Sequence, residues 1–300
     1  TGNVNASGVF SISIPTSDLT ADTGKLIKAS VVAHSTAGVP NTVSSNHTYV
    51  VDTSVPNGTT TSVIVNAIAG DDVLNSDEGN ITTHPTTAIT GKVTGEFKVG
   101  DVVTVSVNGQ DKTGAVAADG TFSINVDTAD LLADPHATAT VTVAAHDNSN
   151  NVGNVSTSHT YVVDTTPPNN NTTSININPI AADNIINADE AATASIAVTG
   201  KVTGEFKTGD QVTITVNGQT YTGPVDANGN FSIPVDTVDL IADDHIDITV
   251  AAHDSSNNLG SVTATHQYVV DTQGPANTTL IIDAVTTDNV INATEASAAS

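Results

Sequence analysis

The phrase "HTYVVDTSVPN" at residues 47–57 returns as "HTYVVDTTPPN" at 159–169 and as "HQYVVDTQGPAN" at 266–277. A chain that repeats at this interval is expected to fold as a series of similar bodies, each closing its own core. The aspartates that mark the phrase, Asp52, Asp164 and Asp271, stand 112 and 107 residues apart, and "TGKVTGEFK" likewise occurs at 90–98 and 199–207. Residues 58–168 and 169–276 read as complete repeats. Residues 1–57 match only the C-terminal part of one, because "GVFSISIPTSDL" parallels "GTFSINVDTADL" and "GNFSIPVDTVDL"; residues 277–300 match only a beginning. With no methionine anywhere, the segment is expected to be a window of a longer tandem array.

Within a repeat, apolar residues alternate with polar ones. Val103, Val105 and Val107 fall on one face and Thr104 and Ser106 on the other; Val212, Ile214 and Val216 repeat the pattern, as do Phe122, Ile124, Val126 and Val141, Val143, Ala145. Period two is the signature of half-buried strands. Asn108-Gly109 and Asn217-Gly218 suit two-residue hairpins, as do Asp119-Gly120 and Asn228-Gly229. No segment carries a helical period. Strands are predicted at about 61–68, 87–94, 101–108, 112–117, 121–127, 138–145 and 154–164, which implies an all-β chain of tandem immunoglobulin-like seven-stranded antiparallel β-sandwiches forming an extended rod. The prolines of "VDTTPPN" predict a stiff linker.

Composition narrows the function. Asp and Glu total 32 against seven Lys and no Arg, a formal net charge of −25. Nucleic acid and anionic membrane surfaces are therefore poor partners, since both are bound through Lys and Arg. At 38% hydrophobic the chain can fold, but with 3% aromatic residues its cores must be thin and each modest in stability. Without cysteine there are no disulfides, thiolate nucleophiles or zinc–thiolate sites. No apolar run reaches the ~18 residues of a membrane span.

In a sandwich of alternating strands, loops after the first, third and fifth strands lie at the trailing end, where the chain leaves. Loops after the second, fourth and sixth lie at the leading end. The first-to-second loop carries Asp71, Asp72, Asn75 and Glu78 in one repeat, Asp183, Asn184, Asn187 and Glu190 in the next, and Asp288, Asn289, Asn292 and Glu295 in the last fragment. The fifth-to-sixth loop adds Asp130 and Asp134, or Asp239 and Asp243. At the leading end stand Glu96, Asp101 and Asp147, or Glu205, Asp210 and Asp254. Asp52, Asp164 and Asp271 occupy the linkers, so each junction could be lined by oxygen from both neighbours. In the first fragment Ser35 replaces Asp147, while Asp18 and Asp22 keep the trailing positions.

These acids admit three readings on the residues alone: a catalytic pair, solvated loops, or ligands to a hard cation. Crowded carboxylates repel, whereas Ca²⁺ accepts about six to eight oxygens in flexible geometry and Mg²⁺ requires a tighter octahedron. The spacing is neither the EF-hand loop nor the glycine-rich nonapeptide repeat. Catalysis is disfavoured. His34, His146 and His253, and again His47, His159 and His266, recur with the repeat and so read as structural; no phosphate loop, "GxSxG" or "HExxH" occurs.

Together "DNIINADE", "TGKVTGEFKTGDQVTITVNGQTYTG", "GNFSIPV" and "VAAHDSSNNLGSVTATHQYVVDT" resemble the bacterial Ig-like repeats of giant type I-secreted surface adhesins of the biofilm, epithelial-contact and ice-anchoring kinds. The resemblance spans essentially the whole chain. It implies a monomeric extender at the bacterial cell surface, exported by a type I system, that carries a distal binding domain for adhesion or biofilm formation. It also implies Ca²⁺ at the junctions, with the acids and amides above as ligands and the neighbouring repeats as partners. The alternative is an Ig-like module that itself binds a glycan or host-cell ligand, against which the near-identity of the repeats argues.

Overall fold

A computed structural model describes residues 1–298. By their internal contacts these form two units, Thr1–Val73 with Ile81–Val162, and Leu74–Asn80 with the chain from Val163 onward. The segment Leu74–Asn80 belongs in sequence to the repeat that begins at 58, yet folds with the unit that contains the next one.

In the first unit the complete repeat has seven main strands: Thr61–Val65, Thr86–Gly95, Val102–Val107, Gln110–Ala115, Thr121–Asp127, Thr138–His146 and Val152–Thr160. The first, second and fifth make one sheet, and the seventh, sixth, third and fourth make the other in that order, with every pairing antiparallel. The second unit repeats the plan with Thr173–Ile177, Ser195–Gly204, Gln211–Val216, Gln219–Pro224, Asn230–Asp236, His245–His253 and Leu259–Gln267. A two-residue parallel pairing of Ile185–Ile186 with Val269–Val270 closes its end. The all-β immunoglobulin-like expectation is met.

Alternation decides the cores. Val103, Val105, Val107, Phe122, Ile124, Val126, Val141, Val143 and Ala145 are all buried, as are Val212, Ile214 and Val216. Between the sheets of the second repeat, Ile186, Val198, Phe231, Ile233, Ile246 and Tyr268 complete the apolar layer. Each phrase tyrosine ties the end of the sandwich to the loop after the fifth strand: the hydroxyls of Tyr161 and Tyr268 donate to the Leu131 and Leu240 carbonyls at 2.8 and 2.7 Å. Tyr49 does the same to Leu19 at 2.8 Å.

Three local expectations are corrected. The loop after the fifth strand contains short helices, Thr128–Ala133 and Thr237–Leu240, too brief to show a helical period. Asn108-Gly109 and Asn217-Gly218 do adopt positive φ at both positions, but Asp119-Gly120 and Asn228-Gly229 are not hairpin turns. There the chain passes from one sheet to the other, since the fifth strand pairs with the second and not with the fourth. In the first fragment, Leu26–His34 and Pro40–Thr48 pair as a hairpin, whereas the run at 8–14 forms no strand and leaves Phe10, Ile12 and Ile14 exposed. Its counterparts pair with a second strand, for which that fragment has no equivalent.

The first-to-second loop turns through the left-handed region, with Ala69 and Gly70 at φ 56 and 105° in one repeat and Ala181 and Ala182 at 56 and 77° in the other. A Cβ in that region is strained. Ala182→Gly is therefore expected to stabilise the second repeat by about 0.5–1 kcal/mol, read as a higher urea midpoint. A lower midpoint would contradict the strain.

Candidate metal centre

The trailing loop is built by local hydrogen bonding. Asp71, Asp183 and Asp288 each accept, through Oδ1, the amide two residues on, from Val73, Ile185 and Val290, at 3.0 Å. The following residue is left-handed in all three copies. Its side chain reaches back to an amide four residues earlier: Asp72 accepts from Ile68 at 2.8 Å, Asn184 from Ile180 at 3.3 Å and Asn289 from Val285 at 3.2 Å. Asp72 also pairs with His159 Nε2 at 2.6 Å, and Asn184 stands in the same place beside His266 at 2.7 Å.

The Asn and Glu three residues apart form a reciprocal cap. Asn75 Oδ1 accepts from Asp77 N and Glu78 N at 3.0 and 3.1 Å, while Glu78 Oε2 accepts Asn75 N at 3.3 Å. Asn187 with Glu190 closes the same box at the short helix Ala188–Ala191, and Asn292 with Glu295 repeats it. The recurring offsets thus have a structural use, since one Asn and one Glu satisfy free amides at the start of a turn.

At the leading end the acids differ in kind. Asp101 and Asp210 are buried pins. Asp101 accepts Lys98 N at 2.7 Å, His146 N at 2.9 Å and His146 Nδ1 at 2.5 Å, and Asp210 does the same with Lys207 and His253 at 2.7, 2.9 and 2.6 Å. Their oxygens join two loops, which gives both acids a structural use of their own. Glu96 and Glu205 are exposed, held by the hydroxyls of Thr61 and Thr173 on their carbonyls at 2.8 Å. Asp147 accepts from Ser149 N, Asn151 N and Asn151 Nδ2, each at 2.8 Å; the Asn151 side chain leads the bonds that hold its carboxyl below the usual range. Asp254 is bound alike by Asn258 N and Nδ2 at 2.9 and 2.8 Å.

The linker aspartates face these loops. Asp164 Oδ2 accepts Ser256 Oγ at 2.7 Å, and its carbonyl accepts Asn258 Nδ2 at 2.9 Å. On the other side its amide donates to the Leu74 carbonyl at 3.1 Å. In the first unit Asp52 meets Ser149 Oγ at 2.8 Å and Asn151 Nδ2 at 3.2 Å. Asp271 N donates to the Ile186 carbonyl at 3.0 Å, as Asp164 does to Leu74. Ser149, Ser256, Asn151 and Asn258 escaped the sequence reading, although "HDNSNN" and "HDSSNN" repeat them in register.

In the loop after the fifth strand, Asp134 accepts amides of His136 and Thr138, and Asp243 accepts those of Asn217 and Asp244. Asp239 binds Asn217 Nδ2 at 3.0 Å and the Tyr221 hydroxyl, which pushes the tyrosine up to about 12. Asp130 lies in the first turn of Thr128–Ala133. Asp243, Asp244 and His245 bring three ligand-type atoms within 4.8 Å of one another, the one such trio of acidic or histidine groups among the described residues; Asp244 and His245 were not anticipated.

The donor set suits a hard cation. Carboxylate oxygens on Asp164 and Asp254 keep lone pairs beyond the bonds above, and the nearby Lys207 is directed to Asn257 and the Ser255 carbonyl rather than to either acid. Hard divalent cations take such oxygens. The chain resembles solved structures over nearly its whole length. One, from a 1.5-MDa bacterial ice-binding adhesin described for its host cell surface retention, is 36% identical, with 90% of this chain and 82% of that one covered and a TM-score of 0.75. A second is the Ca²⁺-stabilised adhesin that helps an Antarctic bacterium reach out and bind ice, at 37% identity, 98% and 67% coverage and a TM-score of 0.63. The chain belongs to the immunoglobulin-like repeats of giant bacterial adhesins. A single immunoglobulin-like domain of the M. primoryensis ice-binding adhesin is 41% identical over 33% of this chain and 96% of its own, with a TM-score of 0.31. Neither a family model nor a curated protein matches these adhesin repeats.

Proposed function

We propose that this chain is a calcium-stabilised spacer of a giant bacterial surface adhesin. The observation that carries the reading is the linker aspartate bonded to the repeat that follows it, Asp164 to Ser256 and Asn258 as Asp52 to Ser149 and Asn151. A tether between independent beads would not need such a contact. The adhesin relative described as Ca²⁺-stabilised supports the choice of ion, and the excess of carboxylate over lysine supplies the charge it would neutralise.

At the junction around Asp164, the residues that would hold the ion are Asp164, Asp254 and Glu205 with Asn75 and Glu78. Asp52, Asp147 and Glu96 form the matching set in the first unit, and Asp271 with Asp183, Asn187 and Glu190 the beginning of the next. The bound ion would supply charge neutralisation and a bridge between loops. The adhesin relatives support a place at the bacterial surface, and export by a type I system and the carrying of a distal adhesive domain complete the proposal. The repeats act mechanically and turn over no substrate.

Small-angle scattering tests the spacer role. With calcium the chain is expected to scatter as one extended particle, and in excess chelator as a more flexible one with a broader distance distribution. A compact particle in both conditions would rule out a rod.

A further inference from the structure

Asn258 is fully buried and every polar atom of its side chain has a partner. Nδ2 donates to the Asp164 carbonyl at 2.9 Å and to Asp254 Oδ2 at 2.8 Å. That fixes the carboxamide, because the flipped orientation would set its oxygen against two acceptors. The remaining atom, Oδ1, accepts Ser76 N at 2.7 Å. Within Leu74–Asn80, the Asn75–Glu78 cap already satisfies the amides of Asn75, Asp77 and Glu78. Ser76 N is the one left over, and the next repeat supplies its acceptor.

We infer that this is a metal-free latch by which such repeats dock, a buried asparagine carboxamide receiving the uncapped amide of the preceding Asn-x-x-Glu turn. The inference rests on the spacer reading for its setting and not on calcium. The same parts recur unjoined. Asn151 Nδ2 donates to the Asp52 carbonyl and to Asp147 Oδ2, as Asn258 does to their counterparts, while its Oδ1 has no donor among the described residues. Ala188 stands where Ser76 does, in a closed Asn187–Glu190 box, and its amide has no protein acceptor among the described residues. The surface at Asn151 therefore fits the Asn-x-x-Glu turn of a preceding adhesin repeat, and the turn at Ala188 fits the asparagine of a following one. The first fragment has Val39 at the socket position, so it lacks the acceptor.

Amide hydrogen exchange on the whole chain, in calcium and again in excess chelator, tests the latch. Ser76 N is expected to exchange at least roughly tenfold more slowly than Ala188 N in both conditions. Asn258→Ala should abolish that difference while leaving Ala188 unchanged. As a second variant that spares the buried loop, Ser76→Pro should speed exchange of the Asn258 carboxamide protons, whereas Ala188→Pro should not. Equal rates for Ser76 and Ala188 in calcium would overturn the latch. Protection of Ser76 that vanishes in chelator would overturn its metal independence and leave the calcium reading standing.

Discussion

Gly260→Ala is expected to cost the second repeat about 2–3 kcal/mol, the upper range for forcing extra atoms into a packed site. A Cβ built on Gly260 would lie 1.9 Å from the Pro168 carbonyl oxygen, 2.7 Å from its carbon and 2.8 Å from the proline nitrogen. All three are backbone, so no side-chain rotation relieves the clash. Either the linker lifts from the seventh strand, exposing the buried Pro168, or the strand bends away at its start, two residues from Asn258. For a domain of this size the midpoint should fall by roughly 10–20 °C. Gly153→Ala should do the same in the first unit, where the Cβ would stand 1.9 Å from the Pro56 oxygen. A shift under about 2 °C for both would mean that the linker is not clamped.

The second large effect concerns the ion. If free calcium stands at about 100 times the dissociation constant, each site contributes about 2.7 kcal/mol to the fold that binds it. Loss of one such site from a repeat should lower its melting midpoint by roughly 10–20 °C. The effect should exceed that of ionic strength alone. Salt screens exposed carboxylates over a Debye length of about 8 Å at physiological strength but builds no bridge between loops. Melting in calcium, in chelator, and in chelator with matched added salt separates the two. Superimposed curves in calcium and chelator would remove calcium from the account.

Much of this architecture was legible in the chain. Alternation placed Val103, Val105 and Val107 in the core because a two-sheet sandwich buries one face of each strand. Strand parity sorted the acidic loops to opposite ends for the same reason. The site was harder to read. Asn75 and Glu78 stand at the spacing of a reciprocal cap, and a cap and a ligand pair draw on the same oxygen-bearing residues. Asp101 has the composition of a ligand, but its burial against His146 and the Lys98 amide makes it a pin. The run at 8–14 alternates as well as any strand and forms none, since a strand needs a partner that local sequence does not name. Asn258 lay in a polar "SSNN" stretch that reads as solvated loop; its burial depends on Asp164 and Ser76, which are remote in sequence.

The most direct test of calcium at the junction is calorimetric titration of Ca²⁺ into the chain beside its Asp164→Asn variant. That substitution keeps the main-chain carbonyl that Asn258 holds and removes one carboxylate charge from the proposed site. The expected result is saturable binding in the parent chain, with one set of sites weakened roughly tenfold or more in the variant, a loss of about 1.4 kcal/mol or greater. No saturable heat in the parent chain, or identical isotherms for the two proteins, would contradict it.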